Sequence, residues 1–523
     1  MSPAEPGGAA ARPAAPAPGM LPPWLGSLLA LAAGAGLPLA FAPFDVSVLA
    51  IILPALLLVL LPERRPRRAL GLGYLFGLGW FGLGVSWVHI SIHEFGGTPL
   101  AAALLVAALL VAFLALFPAL AAWLTVRLAP TAGWPRYLLA APAAWVLAEW
   151  LRGWLFTGFP WLLAGYTQLD SPLAGFAPVL GVYGVGLLLL LTAGALAAGI
   201  RIRRNGLRVG LLFLVMTLWL GGALLQRQDW TRPTGAALEV SLIQGNIAQD
   251  RKWQEAWQRA TLARYLGLSR QEWGDPERQV DLVIWPETAI PAFYHQIEDG
   301  FLRQLRRETR QAGSELLVGI PVLDREHWAY YNAVMRVGGE DSFYFKRHLV
   351  PFGEYLPLRD WLGTLLQVMP LPVADFSAGT ADQTLLQVRG HPVGVSICYE
   401  VIFGAELIAA LPEARLLVNV SNDAWFGDSL APHQHLQMAR MRALETGREL
   451  LRATNTGISA VIDHRGGLRA RGPQFEVAVV RARVQPREGA TPYVQRGDLP
   501  VLLLVAGMLL LGYAVRYRYK PEQ

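Results

Sequence analysis

The stretch Gly394-Val395-Ser396-Ile397-Cys398-Tyr399-Glu400 contains the only cysteine among the 523 residues. The apolar and small residues from Val393 to Ile397 predict a buried strand that brings Cys398 to the rim of a sheet. A single cysteine excludes an internal disulfide, so its role is either packing or thiol chemistry. Free cysteine is usually a small, inert core residue, and the choice between the two roles depends on the rest of the chain.

The composition indicates a membrane protein. Hydrophobic residues make up 53% of the chain and charged residues 16%, with a mean hydropathy of +0.35. A soluble domain has about 25% charged residues, so much of this chain must face lipid. The formal net charge is +6. The arginines lie beside apolar runs, which favours a membrane over nucleic acid as the partner.

Eight apolar runs approach the length of about 20 residues that spans a bilayer. They cover residues 24–42, 47–62, 69–90, 98–128, 134–151, 172–200, 207–227 and 499–513. Residues 1–23 are rich in alanine and proline and indicate a short disordered tail, not a signal peptide. The predicted organisation is this tail, seven spans in 24–228, a polar domain in 229–498, and a last span with a basic tail in 499–523.

Arginine marks every second connection between the spans. The basic groups are Arg64, Arg65, Arg67 and Arg68; Arg127 and Arg136; Arg201, Arg203, Arg204 and Arg208; and, in the tail, Arg516, Arg518 and Lys520. Basic loops stay on the cytoplasmic side. We therefore expect both termini in the cytoplasm and the polar domain at the outer face of the membrane. An unpaired thiol on that side must be used or shielded.

The polar domain alternates strands and helices, which is typical of an α/β fold. Predicted strands cover 238–243, 280–284, 316–320, 333–337, 343–346, 392–397 and 415–420, and predicted helices cover 254–269, 298–311 and 434–452. The strands are too apolar for a sheet that exposes one face to solvent. We expect Asn422 and Asp423 to cap the helix 434–452, and His433 and His435 to make structural hydrogen bonds.

The outer loops contain two further polar pairs. His89 and His93 lack a third ligand, so we expect no metal. Glu149 and Arg152 lie three residues apart at the end of a span. This spacing suits a local ion pair or a lipid headgroup site. The aromatic residues of 153–161 are typical of a membrane interface.

Three predicted strands end in groups that could together activate a thiol. Glu287 follows strand 280–284, Lys346 ends strand 343–346, and Cys398 follows strand 392–397. A thiol attacks a carbonyl carbon as the thiolate, which needs a neighbouring base or cation, and an ammonium stabilises the oxyanion that forms. Charges at strand ends occur in any α/β chain. The spacing alone therefore leaves a catalytic trio and unrelated surface charges equally open.

Longer motifs add a resemblance to known families. Residues 237–485 resemble the nitrilase (carbon–nitrogen hydrolase) superfamily, and the chain from Trp24 to Tyr519 resembles the bacterial apolipoprotein N-acyltransferases. The matching stretches are Gln244-Gly245-Asn246-Ile247, Lys252-Trp253, Trp285-Pro286-Glu287, residues 346–354, Ile397-Cys398-Tyr399-Glu400, residues 421–427, residues 437–443 and the membrane loop 152–161. The one departure is the long N-terminal tail.

This resemblance implies an α-β-β-α sandwich joined to an α-helical transmembrane bundle of about eight spans. It implies an acyltransferase that takes a fatty acyl chain from a phospholipid, typically the sn-1 chain of phosphatidylethanolamine, onto a thioester at Cys398. The implied acceptor is the α-amino group of the S-diacylglyceryl cysteine at the N-terminus of a lipoprotein. No cofactor is implied, and we expect a monomer in the bacterial inner membrane, with the catalytic domain on the periplasmic face.

The resemblance also assigns the site residues. Glu287 corresponds to the family's base, Lys346 to its oxyanion donor and Cys398 to its nucleophile. The supporting or substrate-binding positions are Glu354, Tyr399, Glu400, Trp253, Asn332 and Trp425. Without the resemblance, Glu354 and Glu400 would be interpreted as surface residues, and Tyr399 and Trp253 as ordinary aromatic residues. Asn332 would be interpreted as a turn residue.

The run from Tyr355 to Phe376 and the pair Trp425-Phe426 are unusually apolar for loops that face water. We expect them to cover the site and keep water from the thioester; the alternative is that the run packs on the sheet. Two other functions are a membrane-tethered amidase or nitrile hydrolase and an inactive scaffold that docks lipoproteins. The intact triad argues against the scaffold, and the eight apolar runs argue against a small soluble substrate.

Overall fold

The computed structural model describes residues 22–249, 251–355 and 375–518, so most of the predicted N-terminal tail lies outside the described residues. The N-terminal part is helical. Its helices are α1 (Pro23–Gly36), α2 (Leu49–Leu60), α3 (Pro66–Gly84), α4 (Leu100–Leu114), α5 (Leu116–Leu128), α6 (Ala141–Arg152), α7 (Ala177–Arg201) and α8 (Asn205–Leu225). Short helical segments at Leu37–Ala40, Val88–Ile90, Ser91–Phe95, Arg136–Ala140 and Pro172–Phe176 adjoin them.

Helices lie at all eight positions predicted for membrane spans, the last being Leu499–Arg518. Four stretches of the described residues are long and apolar enough to cross a membrane, namely Pro23–Ala40, Leu100–Leu128, Pro172–Arg201 and Asn205–Leu225. Pro66–Gly84 and Val88–Phe95 make a fifth if they form one span bent by 56°. Leu49–Leu60 and Leu499–Val515 are apolar but shorter. How many of the eight helices cross the membrane therefore stays a prediction.

Helices α1 and α3 pack backbone against backbone because glycine removes the side chain at their crossing. A Cβ atom on Gly34 would lie 1.9 Å from the carbonyl oxygen of Phe76, and one on Gly79 would lie 2.3 Å from that of Leu31. Membrane helices commonly associate through small residues, since lipid provides no hydrophobic force between them. This packing is typical of a helical membrane bundle.

The polar domain contains the strands of the α/β fold. They are β1 (Arg232–Pro233), β2 (Leu238–Gln244), β3 (Leu282–Ile284), β4 (Glu315–Asp324), β5 (Ala329–Val337), β6 (Ser342–Phe345), β7 (Leu386–Val388), β8 (His391–Ile397), β9 (Leu416–Ser421), β10 (Leu450–Thr454), β11 (Ala460–Ile462), β12 (Leu468–Arg471), β13 (Ala478–Val484) and β14 (Arg487–Glu488). The longer helices are α9 (Glu255–Trp273), α10 (Arg303–Gln311) and α11 (Ala431–Thr446), with short helical segments at Tyr294–Ile297, Glu298–Leu302, Gly404–Leu407 and Pro492–Arg496.

Twelve of these strands form two six-stranded sheets, in the orders β13-β2-β3-β4-β5-β6 and β12-β11-β10-β9-β8-β7, and β1 pairs with β14 in a separate two-stranded sheet. The sheets face each other across an apolar core that includes Val240 from one and Val395 from the other. Helices α9 and α10 cover the first sheet through a second cluster around Tyr265 and Leu305. Helix α11 lies on the second sheet, and its apolar residues join the core of the bundle. The predicted α-β-β-α sandwich beside an α-helical bundle is confirmed.

The segment predicted as one helix, 434–452, is a helix followed by a strand. Helix α11 ends at Thr446, and Gly447 follows with the left-handed φ of 63° that commonly terminates helices. Leu450–Thr454 is strand β10 of the second sheet. The prediction was wrong there because a short apolar run suits a buried strand as well as a helix.

The predicted cap of this helix is also wrong. Asp423 begins a separate 3-10 turn, Asp423–Phe426, and the residue before α11 is Leu430. The Asp423 carboxylate instead accepts a hydrogen bond from Arg452 at 2.7 Å in the protein interior. The reason is electrostatic, because a buried guanidinium needs a carboxylate partner.

Candidate active site

Cys398 is the first residue after strand β8, and its backbone is strained. Its φ of 52° lies in the left-handed region, which costs a non-glycine residue about 1 kcal/mol or more. A 3-10 turn over Cys398–Ile402 follows at once. A sharp turn between a strand and a helix lifts a nucleophile out of the sheet. The thiol is free and the residue keeps some accessible surface.

Glu287 lies in the loop after β3, and two donors fix its carboxylate. Asn332 Nδ2 donates to Oε1 at 2.7 Å, and the backbone N–H of Asn422 donates to Oε2 at 2.8 Å. The loop passes very close to β4 at Gly319, where a Cβ atom would lie 2.4 Å from the carbonyl oxygen of Pro286. Glycine at this position therefore lets the loop place a buried carboxylate in one orientation.

Lys346 follows β6 and lies between two carboxylates. Its Nζ donates to Glu354 Oε1 at 2.8 Å and lies 3.9 Å from Glu287 Oε1. Glu354 also accepts from the backbone N–H of Val350 at 2.8 Å. The lysine side chain is only 1% exposed, and a buried ammonium needs paired charges of this kind.

These charged groups shift the pKa of the thiol and of one another. Burial raises the pKa of Cys398 to about 12; Glu287 adds to this rise and Lys346 opposes it. Burial also raises the pKa of Glu287, against the effect of Lys346. Burial lowers the pKa of Lys346, but Glu354 and Glu287 outweigh it, and the net pKa is raised. The raised pKa favours the thiol form of Cys398 at neutral pH, and a thiol can act as a nucleophile only if a base removes its proton.

Glu400 connects the turn Cys398–Ile402 to the residues that follow Lys346. Its carboxylate accepts from the backbone N–H groups of Ile397 (2.7 Å), Arg347 (2.6 Å) and His348 (3.1 Å) and from the hydroxyl of Tyr344 (3.0 Å). Burial raises the pKa of Glu400, and the backbone N–H groups oppose this rise, but the net pKa is raised. Because the donors adjoin both Cys398 and Lys346, one buried side chain holds the two in register.

Tyr399 connects the turn Cys398–Ile402 to the membrane loop 152–161. Its hydroxyl donates to the carbonyl oxygen of Gly158 at 3.0 Å, and its ring packs edge-on against Phe403 with the centroids 5.1 Å apart. Gly158 has a φ of 87°, which a side chain would strain. The active site therefore adjoins the bundle directly through this residue.

Arg152 organises the same loop from inside the bundle. Its Nη1 donates to the carbonyl oxygens of Phe159 at 2.8 Å and Trp161 at 2.5 Å. Glu149 accepts from the backbone N–H of Ala164 at 2.9 Å. Both side chains are buried. These contacts are to backbone atoms of the loop, so both interpretations of the pair, a local ion pair and a headgroup site, stay predictions.

The two predicted tryptophans are more exposed than the rest of the site. Trp253 is 47% exposed and follows Lys252, whose Nζ donates to the carbonyl oxygen of Glu287 at 3.3 Å. Trp425 is 41% exposed, and its ring centroid lies 5.6 Å from that of Phe95. Residues 356–374 of the predicted cover lie outside the described residues.

Two contacts to Glu287 were not predicted from the sequence. Lys252 is buried, and burial lowers its pKa to about 8. Its only sequence signal is the matching motif Lys252-Trp253, which does not show that the lysine contacts Glu287. The Asn422 contact is made by a backbone N–H, which no side-chain pattern reveals.

The two-sheet sandwich, with a buried glutamate and lysine and a partly accessible cysteine, defines a carbon–nitrogen hydrolase domain, and the family model "Carbon-nitrogen hydrolase" matches residues 239–493. The model "Apolipoprotein N-acyltransferase N-terminal domain" matches residues 33–195. Among solved structures, the nitrilase-superfamily protein Nit3 of Saccharomyces cerevisiae is 19% identical, with a TM-score of 0.37, covering 50% of this chain and 93% of that chain.

Curated relatives extend the likeness to both parts of the chain. The apolipoprotein N-acyltransferase of Methylococcus capsulatus is 50% identical, over 94% of this chain and 96% of the relative. That of Nitrosomonas europaea is 45% identical, over 93% and 96%. The chain belongs to the apolipoprotein N-acyltransferase family. It is an acyltransferase and a bacterial membrane protein.

Proposed function

We propose that this enzyme transfers a fatty acyl chain from a membrane phospholipid, through a thioester on Cys398, to the α-amino group of the S-diacylglyceryl cysteine of an apolipoprotein. The observation that carries the proposal is the arrangement of the buried Glu287 and Lys346 with the partly accessible Cys398, next to a loop of the helical bundle that Tyr399 contacts at Gly158. Phosphatidylethanolamine is the proposed donor, and the enzyme acts as a monomer.

In the first half-reaction, Glu287 takes the proton of the Cys398 thiol as the sulfur attacks the ester carbonyl carbon. The Lys346 ammonium and the backbone N–H of Tyr399 hold the oxyanion. The tetrahedral intermediate then collapses, its carbon–oxygen bond breaks, and Glu287 returns the proton to the leaving glycerol oxygen. A lysophospholipid departs and the acyl chain remains on the sulfur.

In the second half-reaction, the acceptor amine attacks the thioester carbonyl carbon and Glu287 takes a proton from the amine nitrogen. The carbon–sulfur bond breaks, the amide is released and Cys398 recovers its proton from Glu287. One base thus serves both steps of a ping-pong cycle. Glu287 suits this role because Asn332 and Asn422 hold its carboxylate in one orientation.

We expect phospholipid alone to give about one lysophospholipid per enzyme and then no more, as a ping-pong cycle without its second substrate must. A diacylglyceryl peptide with a free N-terminal amine should restart turnover, and the same peptide acetylated at that amine should not. Lysophospholipid and free fatty acid are measured by mass spectrometry. Vesicles of phosphatidylethanolamine and of phosphatidylglycerol test the donor. Steady fatty acid release without acceptor would contradict the proposal and identify a hydrolase.

The alternating arginine loops support a catalytic domain on the periplasmic face and both termini in the cytoplasm. A reporter of location fused after Gln228 should therefore respond as periplasmic, and one fused at the C-terminus as cytoplasmic. The same response from both fusions would show that the predicted number of spans is wrong by one.

A further inference from the structure

A closed ring of hydrogen bonds includes the backbone carbonyl oxygen of Cys398. The carbonyl oxygen of Cys398 accepts from His435 Nε2 at 3.2 Å and from Asn419 Nδ2 at 3.3 Å. Arg452 closes the ring, because its Nη2 contacts His435 Nδ1 at 3.0 Å and its Nη1 donates to Asn419 Oδ1.

The fold builds this ring from three neighbouring strands and one helix. Asn419 of β9 pairs with Ser396 of β8 on one side and with Arg452 of β10 on the other. Helix α11 supplies His435 above this row, and its imidazole packs near the ring of Trp161, with the centroids 5.7 Å apart. The Asn419, His435 and Arg452 side chains are inaccessible to solvent, so water does not compete for these bonds.

The Cys398 carbonyl requires a hydrogen on one nitrogen of His435. A carbonyl oxygen can only accept, so Nε2 carries a hydrogen. Nδ1 contacts both Arg452 Nη2 at 3.0 Å, which can only donate, and Asp423 Oδ1 at 3.2 Å, which accepts. Asp423 also accepts from Arg452 at 2.7 Å and balances its charge. Burial, followed by the charge of Arg452, lowers the pKa of His435, consistent with a neutral ring.

The Cys398 carbonyl matters because of the peptide plane it belongs to. That carbonyl and the N–H of Tyr399 are parts of one rigid planar group. Any rotation of the carbonyl therefore turns the N–H that the proposed mechanism assigns to the oxyanion. The left-handed φ of 52° at Cys398 is strained, so an external contact is needed to keep this plane in place.

We propose that His435 is a positioning residue for catalysis: its imidazole, oriented by Arg452 and Asp423, donates to the Cys398 carbonyl and thereby aims the thiol and the Tyr399 N–H at the acyl carbonyl. This inference rests on the proposed function, since it requires Cys398 to be the nucleophile. It adds a group that never touches the substrate and acts only through the peptide after the nucleophile.

Two amide substitutions separate positioning from simple structural support. The amide nitrogen of His435→Gln reaches the place of Nε2 and can still donate to the carbonyl, whereas the shorter His435→Asn cannot reach it. The half-buried His433, two residues away on α11, gives the control His433→Asn. Acylation of Cys398 by phosphatidylethanolamine is followed by intact mass, together with thermal unfolding.

We expect His435→Asn to slow acylation about 10²-fold at saturating phospholipid, the usual cost of a misplaced reacting group. The phospholipid concentration at half-maximal rate and the pH dependence set by Glu287 should stay unchanged. His435→Gln should remain within about tenfold of wild type, and His433→Asn should equal wild type. Equal rates for the Asn and Gln variants, or a loss explained by the unfolded fraction alone, would overturn the inference. A wild-type protein without any adduct on Cys398 would instead refute the proposed function.

Discussion

Replacing Cys398 with alanine is expected to remove acyl transfer while the protein stays folded. Alanine provides no nucleophile, so neither half-reaction can proceed, and the loss should be about 10⁴-fold or more. The residue lies at the rim of the core and keeps some accessible surface. Its loss should therefore cost little stability. Transfer of a labelled acyl chain to a diacylglyceryl peptide, with thermal unfolding beside it, measures both properties.

Cys398→Ser is the matched variant, because it keeps the size and the polar atom while removing the sulfur. The serine variant should also be severely impaired. In the proposed mechanism the base is the carboxylate of Glu287, and not a histidine of the kind that activates a serine hydroxyl in other enzymes. An alanine variant that keeps a substantial share of wild-type transfer would show that Cys398 is not the nucleophile.

The second large effect is expected for Glu287→Gln. Glutamine has nearly the same shape but cannot take a proton, so acylation should fall by about 10²- to 10⁴-fold. One carboxylate oxygen also becomes an NH₂ group, which opposes the donor of Asn422 or Asn332. The exposed Glu326 gives the control Glu326→Gln, which should behave as wild type. Single-turnover acylation measured over pH compares the three proteins.

The pKa of Glu287 also predicts the direction in which the acylation rate changes with pH. Only the carboxylate form of Glu287 accepts the thiol proton, so the wild-type rate should fall as pH decreases through the pKa of Glu287. Burial raises that pKa above its ordinary value, and the fall should begin at a higher pH than for an exposed glutamate. The residual rate of Glu287→Gln should not show this fall at low pH. If the variant shows the same fall, the fall is caused by the titration of another group.

The strands that end at the triad could be predicted from the sequence because each is a short apolar run followed by a polar residue. The prediction 392–397 corresponds to strand His391–Ile397, and 343–346 to Ser342–Phe345. Their meeting in space could not be derived from periodicity. Glu287 and Lys346 follow strands of one sheet and Cys398 follows a strand of the other, and only the family resemblance joined the three.

The remaining errors lie where the same pattern allows two structures. Leu450–Thr454 is a buried strand that its apolar residues equally allow as the end of a helix. Strand β12 was not predicted, because it has only four residues, two of them arginine, and its partly buried Ala470 is the one that packs against the core. The ring of Asn419, His435 and Arg452 depends on the register of three strands beneath a helix, which side-chain types alone do not specify.

The most direct test of a thioester on Cys398 is the intact mass of the purified protein after incubation with phosphatidylethanolamine and no acceptor. We expect the added mass of one fatty acyl group, located on the peptide that contains Cys398, removed by hydroxylamine and absent from Cys398→Ala. An acyl group on another residue, or lysophospholipid formation with no covalent adduct, would contradict a thioester on Cys398.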